Sequence, residues 1–562
     1  MRLTEPAEDL TLGRFIQIAG VRYGTKEALV FEGRRLTYAE LDAAVSRLGR
    51  ALVAAGVGKG TRVAVLMGSR PEWVIAAYAV GRVGGVLVAV NSFATGRERD
   101  YVLRHSDAAL LLLQPTIGGR RHLDDLLEQH PELAAEGRDA WAPDLPMLRR
   151  VVMLDQSAEH GSVTRWGDFL AAGDVVPDPV FAGIAAAVVP FDDAIIIYTS
   201  GTTSEPKAVL HAHRAPVLQS WRWADRTGLT SDDRVWSTQP LFWTAGFAWG
   251  MGATLAAGAS LVMEETFDAH ESLELIERER VTTIIAAPNI ESRLASHLRV
   301  DPAHDLSSIR RLRPRSPLRA VVPAARPSSF GDMYGATEAF TLVTESDPGT
   351  TSSALPSGHG HPVAGMSVRV VDQVTCRPLP PGEVGRIAFR GTCLMRGYYK
   401  RPPEAAFDDA GYYITDDFGS LDDEGVLHFQ GRRSAVIRTA GANVSALEVE
   451  LALRAWGALQ QASVVGVPHP VLGEAVVACA VRHEERPDVT EADVRSAVGT
   501  VLASYKAPRR TVFLDALDFP LTASGKGRAD ALRAVATSWL RREGGDDEWS
   551  RYLEELDRAE RS

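Results

Sequence analysis

Tyr198-Thr199-Ser200-Gly201-Thr202-Thr203-Ser204-Glu205-Pro206-Lys207-Ala208 follows directly on the apolar run Ala194–Ile197. That order reads as a buried strand emptying into a hydroxyl-lined turn, then a lysine fixed by the proline before it. Backbone N–H groups and Ser/Thr hydroxyls are suited to wrapping a polyphosphate, and Lys207 adds a mobile positive charge. Thr199, Ser200, Gly201, Thr202, Thr203 and Lys207 are therefore candidate phosphate ligands. The spacing is not that of the Walker loop, which needs Gly-x4-Gly-Lys-Ser/Thr. Taken alone, the segment also reads as an ordinary Thr/Ser-rich surface turn.

Composition bounds the alternatives. At 562 residues the chain exceeds the size at which a single core stops growing, so two or more domains are expected. A content of 45% hydrophobic and 24% charged residues is that of an ordinary globular protein. The net charge of −11 argues against nucleic acid as a partner, so a polyanionic substrate must be met by local positive charge and a metal. Cys376, Cys393 and Cys479 have neither a disulfide-framework nor a metal-ligand spacing, which points to a reducing, cytoplasmic compartment. No signal core follows Met1, and no run approaches a membrane span.

Along the chain, strand and helix patterns alternate. Thr37 with Glu40 reads as a capping box, Arg62–Met67 as a strand, Pro71–Val83 as a helix and Val86–Val90 as a strand. Residues 130–180 read as a loop-rich excursion. Strands resume at Ala194, Ser260–Met263 and Thr282–Ala286, and short strands follow at Ser367–Val371, Gly385–Arg390 and Gly425–Phe429. The last unit carries a helix over Ala446–Ala455 and strands at Ala462–Val467 and Ala475–Val481. The fold class is α/β: a large N-terminal domain of helix-covered, mostly parallel sheets with a short-stranded β subdomain, then a small mobile α+β domain. The boundaries are 1–430, a hinge at 431–434, 435–540, and an acidic helical tail over 541–562. In that tail Trp549, Tyr552, Leu553 and Leu556 form one stripe, expected to dock on its own domain.

Three further segments carry chemistry. In Tyr334-Gly335-Ala336-Thr337-Glu338 the acid is a candidate Mg²⁺ ligand, because that ion takes carboxylate and phosphate oxygens together. In Tyr413-Ile414-Thr415-Asp416-Asp417 a carboxylate is suited to accept ribose hydroxyls. Pro520-Leu521-Thr522-Ala523-Ser524-Gly525-Lys526 places a lysine after a Ser-Gly turn. His211-Ala-His213 and His359-Gly-His361 lack further ligands at zinc spacing.

In this order, over roughly residues 10–535, the segments resemble the adenylate-forming superfamily: acyl-CoA synthetases, aryl-CoA ligases, peptide-synthetase adenylation domains and luciferases. The resemblance is greatest to the acyl- and aryl-CoA ligases. It implies ATP, Mg²⁺ and coenzyme A as cofactors, with Lys526, Thr337 and Glu338 as catalytic residues. Glu338 would hold magnesium, Thr337 contact the α-phosphate, and Tyr334 stack on adenine. Asp417 would bind ribose with Arg432 as its partner, and Lys526 would swing in for adenylation. Trp243, Gly246, Phe247, Gly335 and Ala336 would line the acyl pocket, and Ser434, Arg438 and Gly441 would serve the hinge and the CoA channel.

The implied reaction joins an apolar carboxylic acid (aromatic, cyclic or short-to-medium chain) to CoA through an acyl-adenylate. Amino-acid-activating relatives place an aspartate where this chain has Trp243, and no acid lies between Arg234 and Glu264, so an α-amino acid is disfavoured. A carrier-protein thiol or an amine as acceptor, or nitrite as the activated oxyanion, are alternatives; a non-catalytic nucleotide- or acyl-binding relative is another.

Four departures from the pattern matter. Ser204 and Ala208 replace glycines of the phosphate loop, costing on the order of 1–2 kcal/mol each if a left-handed backbone is needed there. Asp416 also replaces a glycine, adding charge close to the nucleotide. Ser434 and Ala435 stand where the hinge usually carries charge. Leu312–Phe330 is rich in proline and arginine and lacks glycine and acid, so the helix usual there is expected to be compressed or lost, weakening adenine binding.

Overall fold

In a computed structural model the described residues are 11–134, 141–155, 162–199, 206–313, 316–322, 325–327, 332–346, 358–432, 436–439, 442–470, 472–502, 506–521, 527–544, 549 and 553. Two large sheets dominate the first 400 residues or so. One has eight strands in the order Gly397–Tyr398, Lys207–Ala212, Asp193–Thr199, Val86–Ala89, Arg62–Leu66, Leu110–Leu113, Arg150–Met153, Val163–Arg165. Its pairings are parallel from Asp193–Thr199 outward, while Lys207–Ala212 runs antiparallel to both neighbours. The other has seven strands, mostly parallel, closed at one edge by the hairpin of Glu27–Phe31 with Arg34–Thr37.

The apolar runs form strands because both faces are covered, and their side chains divide by parity. Val63, Val65, Leu87, Ile195 and Ile197 enter one buried cluster, whereas Ala64, Leu66, Val86, Val88 and Ile196 enter a second. The first cluster also takes Leu29, Val235, Leu261 and Ile285 from the seven-stranded sheet, so this core lies between the two sheets. Helix Pro71–Arg82, started by its proline, is buried on every residue within it. Helix Tyr38–Ala54 begins at the capping box of Thr37 and Glu40, as its sequence predicts.

The excursion expected over 130–180 is more ordered than its composition implies. Arg150–Met153 and Val163–Arg165 add two parallel strands to the eight-stranded sheet, and Trp166–Ala171 and Asp178–Ala186 are helices. The two strands are only four and three residues long, too short to stand out from the surrounding acids and prolines.

Short antiparallel strands follow from residue 333, including a four-stranded sheet of Met366–Val371, Gly385–Gly391, Tyr413–Leu421 and Leu427–Arg432. The last unit packs helix Ala446–Trp456 on a sheet whose central hairpin is Leu459–His469 with Gly473–Arg482. In the tail, Trp549 and Leu553 are buried, and the Trp549 indole N–H donates to the carbonyl of Pro468 at 2.7 Å. This is the self-docking expected of the stripe; Tyr552 and Leu556 lie outside the described residues. No single described helix is long and apolar enough to cross a membrane.

The anomalous stretch resolves physically. Arg311–Leu312 and Arg326–Pro327 form a parallel pair in the seven-stranded sheet, and among the described residues between them the helical part is one 3-10 turn over Pro317–Ala320. Ser316 caps the turn and Leu318 is fully buried, so the topology survives although the connecting helix is reduced to one turn.

Candidate active site

The hydroxyl-rich segment closes a hairpin. Asp193–Thr199 pairs with Lys207–Ala212 so that Thr199 faces Lys207. Ser200, Gly201, Thr202 and Thr203 fall in the connection and lie outside the described residues, as does Ser204. Ala208 is a buried strand residue opposite Tyr198, with no left-handed backbone, so its Cβ costs nothing there.

Two residues of distant sequence complete the hairpin's edge. Gly397–Tyr398 adds a short antiparallel strand, with Tyr398 opposite Val209. The Tyr398 ring is thereby held 5.3 Å from Nζ of Lys207, a cation–π distance. Its hydroxyl donates to Oε1 of Glu338 at 2.7 Å and lies 2.9 Å from the hydroxyl of Tyr413, which donates to the same oxygen at 3.0 Å. Burial, with the neighbouring carboxylate, pushes both phenols well above the usual tyrosine range, so they stay protonated donors. Glu338 thus has one oxygen fixed by two donors, while Oε2 makes no hydrogen bond among the described residues. A single open carboxylate oxygen is the donor set that Mg²⁺ takes alongside phosphate and water oxygens, so the residue fits the ion.

The turn bearing Glu338 and the strand after it are fastened by four hydrogen bonds from three residues. His211 Nε2 donates to the carbonyl of Thr337 at 2.7 Å, and the backbone N–H of Met395 donates to that of Glu338 at 2.8 Å. The side chain of Gln219 donates to the carbonyls of Ala339 and Leu342, each at 2.8 Å. Burial pulls His211 down to about 4, so its ring stays neutral and fixed by this bond. Phe340 adopts φ 61°, and its buried ring meets His211 and Phe247 edge-on at 5.1 and 5.4 Å. At Gly335, before the turn, a Cβ would stand 2.2 Å from the Thr341 carbonyl oxygen, so no side chain fits. Ala336 donates its N–H to that same oxygen at 2.9 Å.

Strand alternation presents Tyr413, Thr415 and Asp417 on the buried face. Tyr334, only 4% exposed, donates to Oδ2 of Asp417 at 2.6 Å and packs its ring on Phe429 at 5.4 Å. Asp417 pairs across the sheet with Arg432, whose side chain is not described. Asp416 is exposed and pairs with Arg386 at 3.3 Å, so its charge is turned outward rather than crowding this face.

The acyl-pocket candidates separate. Trp243 is half-buried, edge-on to Phe242 at 5.2 Å, which meets Phe93 at 5.7 Å. Gly246 opens a π-helical turn, Gly246–Gly252, and a Cβ there would sit 2.0 Å from the Pro240 carbonyl oxygen. Phe247 is fully buried, its ring packed among Trp73, Tyr78 and Phe340, so it braces the segment.

Lys526, Ser434 and Gly441 lie outside the described residues; the backbone of Arg438 pairs with Asn443. His359 accepts from the N–H of Phe429 at Nδ1, 3.1 Å, and so serves the same wall as Tyr334. Tyr398, Gln219 and His211 are structural partners of the site that the motifs did not single out. Tyr398 sits in a Gly-Tyr-Tyr turn with no pattern of its own, whereas Tyr413 opens a motif already in view.

Comparison with known proteins gives the family. Residues 16–399 match the family model described as AMP-binding enzyme, and residues 448–526 match its C-terminal domain. A methyl-dioxo-octahydro-indenyl-propanoyl:CoA ligase of Mycobacterium tuberculosis is 34% identical, over 90% of this chain and 95% of its own. A feruloyl-CoA synthase of Amycolatopsis is 32% identical over 88% of this chain and 92% of its own. The solved amide bond synthetase McbA of Marinactinospora thermotolerans superposes with a TM-score of 0.74 at 26% identity, covering 93% of this chain and 99% of that one. The chain belongs to the AMP-binding enzyme family.

Proposed function

We propose that the protein is an AMP-forming carboxylate–CoA ligase, which adenylates an apolar ring-bearing acid with ATP and Mg²⁺ and passes the acyl group to CoA. The observation that carries this reading is the convergence of Lys207, Tyr398, Tyr413 and Glu338 beside the Tyr334–Asp417 pair. Attack of a carboxylate on the α-phosphorus needs no nucleophilic side chain. It needs two anions brought together, with a repulsion of about 4 kcal/mol between unit charges at 4 Å and an effective dielectric of 20. Lys207 offsets outer-phosphate charge, and Glu338 presents its open oxygen to a magnesium ion, which supplies neutralising charge when bound. Thr337 contacts the α-phosphate, Asp417 with Arg432 accepts the ribose, and Lys526 bridges carboxylate and α-phosphate.

In this reading residues 1–430 hold the nucleotide, 431–434 form the hinge, and 435–540 carry Lys526 in and out. Trp243 walls an apolar pocket with no acid to pair an α-ammonium. The ring-bearing acids in the names of the two relatives at 34% and 32% identity support that substrate class.

Carboxylate-dependent ATP–pyrophosphate exchange, with Mg²⁺ and without CoA, tests the first half. Exchange with cyclic or aromatic acids is expected; none with any acid, in folded protein, overturns the proposal. The likeness to an amide bond synthetase favours a second reading, in which an amine replaces CoA as acceptor. Acyl-adenylate consumption with CoA against amines separates the two.

A further inference from the structure

Three histidines that take no part in this site converge on one point. His270 lies in the first turn of helix Ala269–Arg278, His297 near the end of helix Pro288–Val300, and His304 in the segment that follows. One nitrogen of each lies within 4.8 Å of the other two, and among the described residues this is the one such group. The ring centroids are 5.6, 5.9 and 6.5 Å apart.

The neutral tautomer of His304 is suited to ligation. His304 Nδ1 lies 3.1 Å from a carboxylate oxygen of Glu277, which only accepts, so Nδ1 carries the proton and Nε2 a lone pair. That Nε2 is buried without a hydrogen-bond partner, and so is Nε2 of His297. Buried imidazole nitrogens are normally satisfied; two orphans facing a third histidine are the donor set of a metal site. The Glu277–His304 pair has the form of the carboxylate–histidine–metal arrangement that orients a ligand and raises its basicity. His270 is exposed, with Nε2 3.5 Å from a carboxylate oxygen of Glu274, and forms the solvent side of the group.

We propose that His270, His297 and His304 bind a zinc ion, with water in the fourth position, cross-linking the two helices and the segment after them. Tetrahedral zinc with bonds of about 2.0–2.1 Å needs nitrogens roughly 3.3 Å apart, so small side-chain rotations close the set. Three imidazoles select zinc or a neighbouring late transition metal and not magnesium, which prefers oxygen. The site is therefore chemically separate from Glu338.

The test uses full-length protein stripped with a chelator, titrated with zinc chloride in excess magnesium. One zinc per chain is expected, with a zinc-dependent rise in thermal midpoint and tetrahedral cobalt bands when cobalt chloride replaces zinc. His297→Gln and His304→Gln should each abolish the rise, and Glu277→Gln should weaken zinc 10–100-fold. Circular dichroism and a cooperative unfolding transition of each variant separate lost binding from lost folding. No zinc uptake by folded protein, or uptake unchanged in His297→Gln, overturns the proposal.

Discussion

The hydroxyl of Tyr334 donates a 2.6 Å hydrogen bond to the carboxylate of Asp417, joining the strand before the Glu338 turn to the central strand of a different sheet. A hydrogen bond to a charged group contributes about 1.5–3 kcal/mol. Tyr334→Phe keeps the ring against Phe429 and removes only this bond. The expected result is a KM for ATP raised roughly tenfold, corresponding to about 1.4 kcal/mol, with a smaller change in kcat. Unchanged KM, with the variant folded, would count against Asp417 as the ribose acceptor.

Glu338→Gln keeps the side chain's size and one acceptor oxygen but removes its charge. Adenylation should fall by about 10²–10³, and raised Mg²⁺ should restore part of it. Lys526→Ala should lose pyrophosphate exchange yet still convert supplied acyl-adenylate to thioester. Equal loss of both half-reactions would sink the assignment of Lys526 to the first step alone.

The aromatic wall gives a specificity test. Trp243→Ala should improve kcat/KM for acids bulkier than the best substrate and weaken it for the smallest. Gly246→Ala instead drives a methyl into the Pro240 carbonyl, an overpacking expected to cost about 1–3 kcal/mol of stability. The two profiles differ: the first moves substrate preference, the second lowers the thermal midpoint.

Glu264 provides a pH-linked term in stability. Burial pushes its carboxyl up to about 7, although Ser272 donates to it at 2.9 Å. The folded value exceeds the ordinary 4.5, so the fold prefers the protonated acid. That contribution is full below about pH 4.5, is lost as pH rises through about 7, and amounts to at most ~3 kcal/mol. His211 and His213, pulled down to about 4 by burial, act oppositely, destabilising the fold as pH falls below the ordinary 6.5. The readout is therefore the difference between wild type and Glu264→Gln: the variant should gain relative stability from pH 5 to 8. Parallel stability curves would refute it.

Much of this architecture was legible because the relevant signals are local. The Thr37–Glu40 capping box, the apolar strand runs and the turn that follows the strand before Lys207 each depend on neighbours in sequence. Tyr398 was not legible: its meaning comes from pairing with Val209, 189 positions earlier (398 − 209), which no window contains. The packing of Phe247 was not legible for the same reason, since a glycine- and aromatic-rich segment looks alike whether its rings face a ligand or Trp73 and Phe340. The tri-histidine group was invisible because 27 and 7 positions separate its members (297 − 270 and 304 − 297), a spacing that matches no zinc motif.

Gly397–Tyr398 also has a part in the life of the chain outside catalysis. Without it, Lys207–Ala212 would be the bare edge of the eight-stranded sheet, whereas the N–H groups of Arg396 and Tyr399 now satisfy the carbonyls of Leu210 and Ala208. An exposed edge is a template for another chain to pair with. During synthesis that edge stays uncovered until residue 397 and its neighbours have emerged from the ribosome, nearly two hundred positions later. Completion of the edge beside Lys207 and protection against edge-to-edge association are then one folding event, and a mutation that loosens it would show first as poor recovery from expression.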